Sequence, residues 1–256
     1  MPDIYEMILL FIFGLLSFFL VWKNKKYLAL EKRLDELEKN ITDKINRHDR
    51  TIFREIQSYL DILNTLNIDK EIPELRNEWS VTANFSWIIM EEILHNKPKN
   101  IVELGSGTNS IISGYALKKN DNGKLTSFEH MKSFYSKGER KLQYHNLNRF
   151  VDIKLAELKD MEIENKVYRW YDITKFKFEN KIDLLIVDGP PGHLQKKSRY
   201  PALPVLYEKL ADQCKIIVDD YRRTDEIEIV EKWLDMYPEF QIQKLDTEHG
   251  MAILWR

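Results

Sequence analysis

Asn100-Ile-Val-Glu-Leu-Gly-Ser-Gly-Thr-Asn-Ser110 is the stretch whose reading decides the fold. Its first five residues form a short apolar run fit for a buried strand, and Ile111 to Leu117 beyond it make an apolar-rich helix candidate. Between them, Gly105-Ser-Gly107 lets the backbone bend and approach a ligand where side chains would block it. Strand, glycine turn and helix start together predict a cofactor cradle. A phosphate-binding loop would need a Lys-Ser or Lys-Thr pair after a longer glycine spacing, and the stretch has none. A dinucleotide fingerprint would need a third glycine where Ser110 stands.

Outward from this stretch the pattern repeats. Upstream, Phe85, Ile88, Ile89 and Ile93 line one face of a helix that ends before Asn96-Lys-Pro98. Downstream, the run Leu125-Thr-Ser-Phe128 delivers Glu129, an acid at a second strand's end and placed to accept both ribose hydroxyls of an adenosine cofactor. The plainer reading of Glu129 is a solvated strand end. Short apolar runs continue to alternate with helical patterns past Pro73, the texture of a parallel sheet with helices on both faces. Phe240-Gln-Ile-Gln-Lys-Leu245 and Met251-Ala-Ile-Leu-Trp255, joined by Asp246-Thr-Glu-His-Gly250, read as a closing hairpin.

Four stretches now stand in order: Val102-Glu-Leu-Gly-Ser-Gly-Thr108, Ser127-Phe-Glu-His130, Leu184-Leu-Ile-Val-Asp-Gly189 and Ile216-Ile-Val-Asp-Asp220. They resemble the successive motifs of class I S-adenosylmethionine-dependent methyltransferases. The resemblance implies an α/β, Rossmann-like seven-stranded sheet whose last strand is antiparallel, with the cofactor across the ends of the first strands. By that likeness Glu103, Gly105, Ser106, Gly107 and Thr108 line the methionine end of S-adenosylmethionine and Glu129 holds the ribose. Ala156 and Glu157, ending the third strand, lie near the adenine, although glutamate departs from the aspartate or small polar residue often found there.

Asp188 ends the fourth strand and Asp219-Asp220 the fifth, and strand ends on one edge of a parallel sheet converge on the ligand crevice. Three unpaired carboxylates there would repel one another, so a divalent cation or a shared proton resolves the charge, and Mg²⁺ suits oxygen ligands. The arrangement resembles metal-dependent O-methyltransferases of the catechol and sugar type. That likeness implies a cation on Asp188, Asp219 and Asp220 that lowers a hydroxyl's pKa and aligns it with the methyl. His193 first and Lys196 second are the candidate proton acceptors, because their loop follows Asp188 and should overhang the crevice. An ordinary surface histidine is the equal alternative. Val167-Tyr-Arg-Trp-Tyr171 reads as an edge strand, as core packing or as a sugar-stacking platform. Arg199-Tyr200 and Tyr221-Arg222-Arg223 read as contacts to an anionic substrate group or as surface ion pairs.

The first third has a different texture. Ile4 to Trp22 is almost uninterrupted apolar and, as a helix, spans roughly 28 Å, close to the ~30 Å of a bilayer's hydrocarbon core. Lys23, Lys25 and Lys26 follow the run instead of preceding it, which argues for an uncleaved anchor over a signal peptide and places the remainder on the cytoplasmic side. From Leu28 to Leu66, apolar residues recur at Leu30, Leu34, Leu37, Ile41, Ile45, Ile52, Ile56, Tyr59, Leu63 and Leu66, with His48 the one exception in the stripe and without glycine or proline. This stripe packs on the following domain or pairs with a second copy as a dimeric stalk, the reading we favour. The expected division is anchor 1–26, stalk 27–70 and methyltransferase domain 71–256.

The 256 residues, 43% of them hydrophobic, suffice for one full-sized core plus such an extension. A formal net charge of −2 excludes a broad basic footprint for nucleic acid. The single cysteine, Cys214, excludes an internal disulfide and reads as a buried thiol. The leading expectation is methyl transfer to a hydroxyl of a small molecule, carbohydrate or glycan precursor. A tethered coiled-coil scaffold with a vestigial domain is the alternative, and an NAD-dependent dehydrogenase gives no reason for three acids to converge.

Overall fold

The structure is a computed structural model and describes residues 3–73, 75 and 81–256. The chain opens with helix α1 (Ile4–Leu66) and divides into two compact units between Phe53 and Arg54, within that helix. In the first unit no described residue is buried. Its apolar run, with mean hydropathy 2.4, is long and apolar enough to cross a membrane, as no other helix among the described residues is.

The second unit, Arg54–Arg256, begins inside the segment expected to be stalk. Within it the last turns of α1 bury Glu55, Ser58, Ile62 and Leu66, while Ile56 and Tyr59 of the expected stripe stay exposed. The reason is polar. Glu55 accepts from the backbone N–H of Ala83 (2.6 Å) and Asn84, at the start of α2 (Ala83–Asn96), and Ser58 accepts from the Asn84 amide at 3.2 Å. A carboxylate on the unsatisfied N–H groups of a helix start contributes about 1–2 kcal/mol. The packed face of these turns is therefore chosen by one acid as much as by the apolar spacing.

The main sheet contains β1 (Asn100–Leu104), β2 (Lys124–Glu129), β3 (Val151–Leu155), β6 (Ile182–Val187), β7 (Leu210–Asp219), β8 (Gln241–Leu245) and β9 (Met251–Trp255), in the order β3-β2-β1-β6-β7-β9-β8. Strands β3, β2, β1, β6 and β7 pair in parallel, whereas β9 runs antiparallel to both β7 and β8. This is the expected seven-stranded sheet with its antiparallel last strand and closing hairpin. Helix α3 (Thr108–Asn120) follows β1 and α4 (Lys132–His145) follows β2. Short α5 (Ala202–Leu206) precedes β7, and α6 (Thr224–Met236) follows it.

Each face of the sheet carries its own core. Strand alternation sends Val102 and Leu104 to one face, with Phe128, Leu185 and Trp233, and Ile101 to the other, with Phe85, Ile89 and Ile112. Between β3 and β6 the chain forms a separate antiparallel hairpin, β4 (Leu158–Ile163) with β5 (Lys166–Tyr171). The aromatic segment belongs to β5: Tyr168, Trp170 and Tyr171 are buried in the first core, while Arg169 is exposed. Cys214 is buried in the same core, and burial raises its thiol pKa.

Candidate active site

A cavity of about 550 Å³ opens where β1, β2, β6 and β7 end. The parallel ladders carry on one residue past the strands, with Gly105 N–H donating to the Phe128 carbonyl and Asp188 N–H to that of Leu104, both at 3.0 Å. This draws the β1 and β6 turns together. Gly105 has φ +100°, and a Cβ there would lie 3.1 Å from Gly189 N, so only glycine fits both the conformation and the approach. A Cβ at Gly189 would collide with the Tyr171 hydroxyl. The two glycines thus let the β1 and β6 turns and the Tyr171 hydroxyl pack closely together.

On the β2 side Glu129 lines the cavity and is held in place by local donors. Ser106 Oγ donates to its Oε2 at 3.0 Å, Met131 N–H to its Oε1 at 2.7 Å, and His130 Nδ1 lies 3.2 Å from Oε1. Glu103 faces elsewhere. Alternation puts it beneath α3, 1% exposed, where its carboxylate accepts from Asn109 Nδ2 (2.7 Å), Ser127 Oγ (2.6 Å) and Ser110 Oγ. Burial raises its pKa to about 7 in spite of those hydrogen bonds. It fastens the glycine turn to α3 and β2 from behind.

On the β6 and β7 side Asp188, Asp219 and Asp220 all line the cavity, as does Arg199. Arg199 Nη2 lies 2.7 Å from Asp220 Oδ2 and 3.5 Å from Asp188 Oδ1, and Nη1 donates to the Asp219 carbonyl at 3.0 Å. Arg223 Nη1 is also 2.7 Å from Asp220 Oδ2, and His249 Nδ1 is 3.6 Å from Oδ1. Burial raises the pKa of Asp188 to about 6, with Asp220 adding to the rise and Arg199 opposing it. Burial likewise pushes Asp219 well up, reinforced by Asp188 and Asp220. For Arg199, burial opposes the charge, but the acids around it outweigh burial and hold its pKa above the ordinary value.

Of the residues singled out from the sequence, Gly105, Ser106, Glu129, Asp188, His193, Asp219 and Asp220 meet around this one cavity. Glu103, Gly107, Thr108, Ala156, Glu157 and Lys196 are not among its lining residues. Gly107 caps α3 with extended backbone, Ala156 is buried in the core, and Glu157 and Lys196 are exposed. Among the described residues, the carboxylate and imidazole groups close enough to share a cation are Asp219, Asp220 and His249, with ligand atoms within 4.8 Å of one another. Asp188 is outside that group and turns to Arg199.

Sequence reasoning missed His130 and His249 as site residues and gave Arg199 the wrong surroundings, since it is 3% exposed and inside the acid cluster. It also left Tyr171 among three alternatives. The Tyr171 hydroxyl is buried at the cavity with no hydrogen-bond partner, and burial holds its pKa well above the usual phenol value, so it stays a neutral donor.

A family model described as a methyltransferase domain matches residues 102–221, which span the strand ends from β1 to β7. Over that stretch, just under half of the chain, the sequence is similar to a methyltransferase domain. Solved structures similar in fold include a Podospora anserina methyltransferase with SAH bound, at TM-score 0.56 and 13% identity, covering 82% of this chain and 96% of that one. The O-methyltransferase TomG of Streptomyces achromogenes, in complex with SAM, superposes with TM-score 0.53 at 12% identity, covering 79% and 88%. An O-methyltransferase from Bacillus cereus in complex with SAH gives 0.52 at 11%, covering 78% and 91%. At these identities the likeness is one of fold. No curated protein matches the sequence.

Proposed function

We propose that this chain transfers a methyl group from S-adenosylmethionine to a hydroxyl of a small molecule or carbohydrate, working at a membrane to which residues 4–22 tether it. One observation carries the reading: the Gly105–Ser106 turn and Glu129 meet the Asp188–Gly189 turn across a single cavity, with Ser106 and Glu129 bonded at 3.0 Å. Its volume falls within the range of roughly 300–1,000 Å³ usual for small-molecule sites. The glycine turns and the unpartnered Tyr171 hydroxyl suit a ligand that brings its own polar atoms. Bound there, S-adenosylmethionine supplies an electrophilic methyl on a good leaving group, so the protein's task is positioning and proton acceptance.

In this reading Gly105 and Ser106 take the methionine end, Glu129 the ribose hydroxyls, and Tyr171 donates to the cofactor. His193, which lines the cavity, is the leading proton acceptor; Lys196, outside the lining, drops behind it. The O-methyltransferases among the similar structures favour a hydroxyl acceptor. Lys23, Lys25 and Lys26 after the apolar run favour a cytoplasmic domain. A tether raises the effective concentration of a membrane-borne acceptor such as a lipid-linked glycan precursor. The exposed residues Leu30, Leu34, Leu37, Ile41 and Ile45 support pairing of two copies through the stalk.

Calorimetry with S-adenosylmethionine tests the cofactor, and mass spectrometry of glycans and lipids from cells with and without the protein tests the acceptor. Saturable binding and a mass difference of one methyl group are expected. No heat at millimolar cofactor would favour the tethered scaffold instead.

A further inference from the structure

Three acids at the ends of β6 and β7 need a positive partner, and a bound dication is one way to provide it. The chain provides another. We propose that Arg199 is the built-in cation of this site, binding the β6 and β7 ends together through Asp188 and Asp220, so that the methyltransferase works without a divalent metal. The inference rests on the methyltransferase reading above and concerns how its acceptor side is held.

The guanidinium group touches both strand ends at once: Asp188 at 3.5 Å, Asp220 at 2.7 Å and the Asp219 carbonyl at 3.0 Å. Its Nε lies 3.8 Å from Glu226 Oε1, another buried acid. The backbone around it is pinned, with Ser198 Oγ donating to the Pro190 carbonyl and Trp233 Nε1 to the Tyr200 carbonyl, both at 3.0 Å. Such a fixed planar fork orients carboxylates as a metal would, with no ion to capture.

The other group of ligating side chains among the described residues, Asp219 with Asp220 and His249, is less suited to a dication. Asp220 Oδ2 already carries two arginines, Arg199 and Arg223, each at 2.7 Å. A divalent ion on Asp220 would sit beside both positive charges, and one of its three donors would be an imidazole, which a hard oxygen-seeking ion such as Mg²⁺ does not favour.

The test uses the full-length chain in detergent, stripped with chelator, with Mn²⁺ as the probe read by electron paramagnetic resonance and S-adenosylmethionine binding read by calorimetry. The wild type should take up no Mn²⁺ at millimolar metal and bind cofactor equally with and without chelator. Arg199→Gln, which takes the arginine from Asp188 and leaves Asp220 with Arg223 alone, should bind Mn²⁺ at least about tenfold tighter than the wild type. Arg199→Lys, which keeps the charge, should restore the metal-indifferent behaviour. The wild-type measurement decides even if Arg199→Gln fails to fold. Mn²⁺ uptake by the wild type, with cofactor binding intact, overturns the arginine assignment and leaves the methyltransferase reading standing. Absent cofactor binding overturns that reading and this inference with it.

Discussion

Beneath β1 and β2 the cavity offers one acid, Glu129, held by His130 and Met131 next to it in the chain and by Ser106 from the glycine turn after β1. At the ends of β6 and β7 stand three more, of which Asp188 and Asp220 pair with an arginine that the intervening loop carries back into the site. The first side is built around a single acid, whose oxygens stay within reach of a ligand. The second side is a compensated cluster in which each charge depends on another. An acid made to bind a ligand and an acid made to hold a structure together look alike in a sequence and differ in who their partners are.

The largest expected effect separates the two sides. Arg199→Met should lower stability by about 3–5 kcal/mol, because it takes the arginine from Asp188 and leaves Asp220 with Arg223 alone, and chemical denaturation will measure it. Glu129→Gln should leave stability nearly unchanged and weaken S-adenosylmethionine binding by roughly tenfold to a hundredfold in calorimetry, the value of a charged hydrogen bond. If both variants lost stability alike, the contrast between the sides would be wrong.

Glu103 sharpens the comparison through pH. Burial raises its pKa from 4.5 to about 7, so between those values the folded state binds more protons than the unfolded chain. The stabilisation is full below about 4.5 and is lost as pH rises through about 7, an effect on the order of 3 kcal/mol. Glu103→Gln is neutral throughout. Its thermal midpoint should therefore gain on the wild type as pH is raised from about 5 to about 8, and parallel curves would show that Glu103 is ionised in the fold.

The smallest effect concerns the residue between the two sides. Tyr171→Phe removes a hydroxyl with no partner in the cofactor-free protein, so its thermal midpoint should rise slightly. Cofactor affinity should fall roughly fivefold, about 1 kcal/mol. Unchanged affinity would remove Tyr171 from the cofactor's contacts and leave it a core residue.

Much of this was legible in the linear chain. Buried parallel strands read as continuous apolar runs, and a strand-to-helix turn that must clear space for a ligand requires glycine, so Gly105, Glu129, Asp188, Asp219 and Asp220 could be placed from local chemistry alone. Even the burial of Glu103 was within reach, since alternation sets it opposite Val102 and Leu104 and on the same side as Ile101. Partners distant in sequence were not legible. Nothing local to Arg199 says that it enters an acid cluster, nothing in Glu55 says that it caps a helix starting at Ala83, and Tyr171 reaches the cavity only because the hairpin folds over the β6 turn. Local backbone preference and hydrophobic period act over a few residues and were carried by the sequence. Charge pairing in a buried cavity acts through space, and only the tertiary structure decides which charges meet.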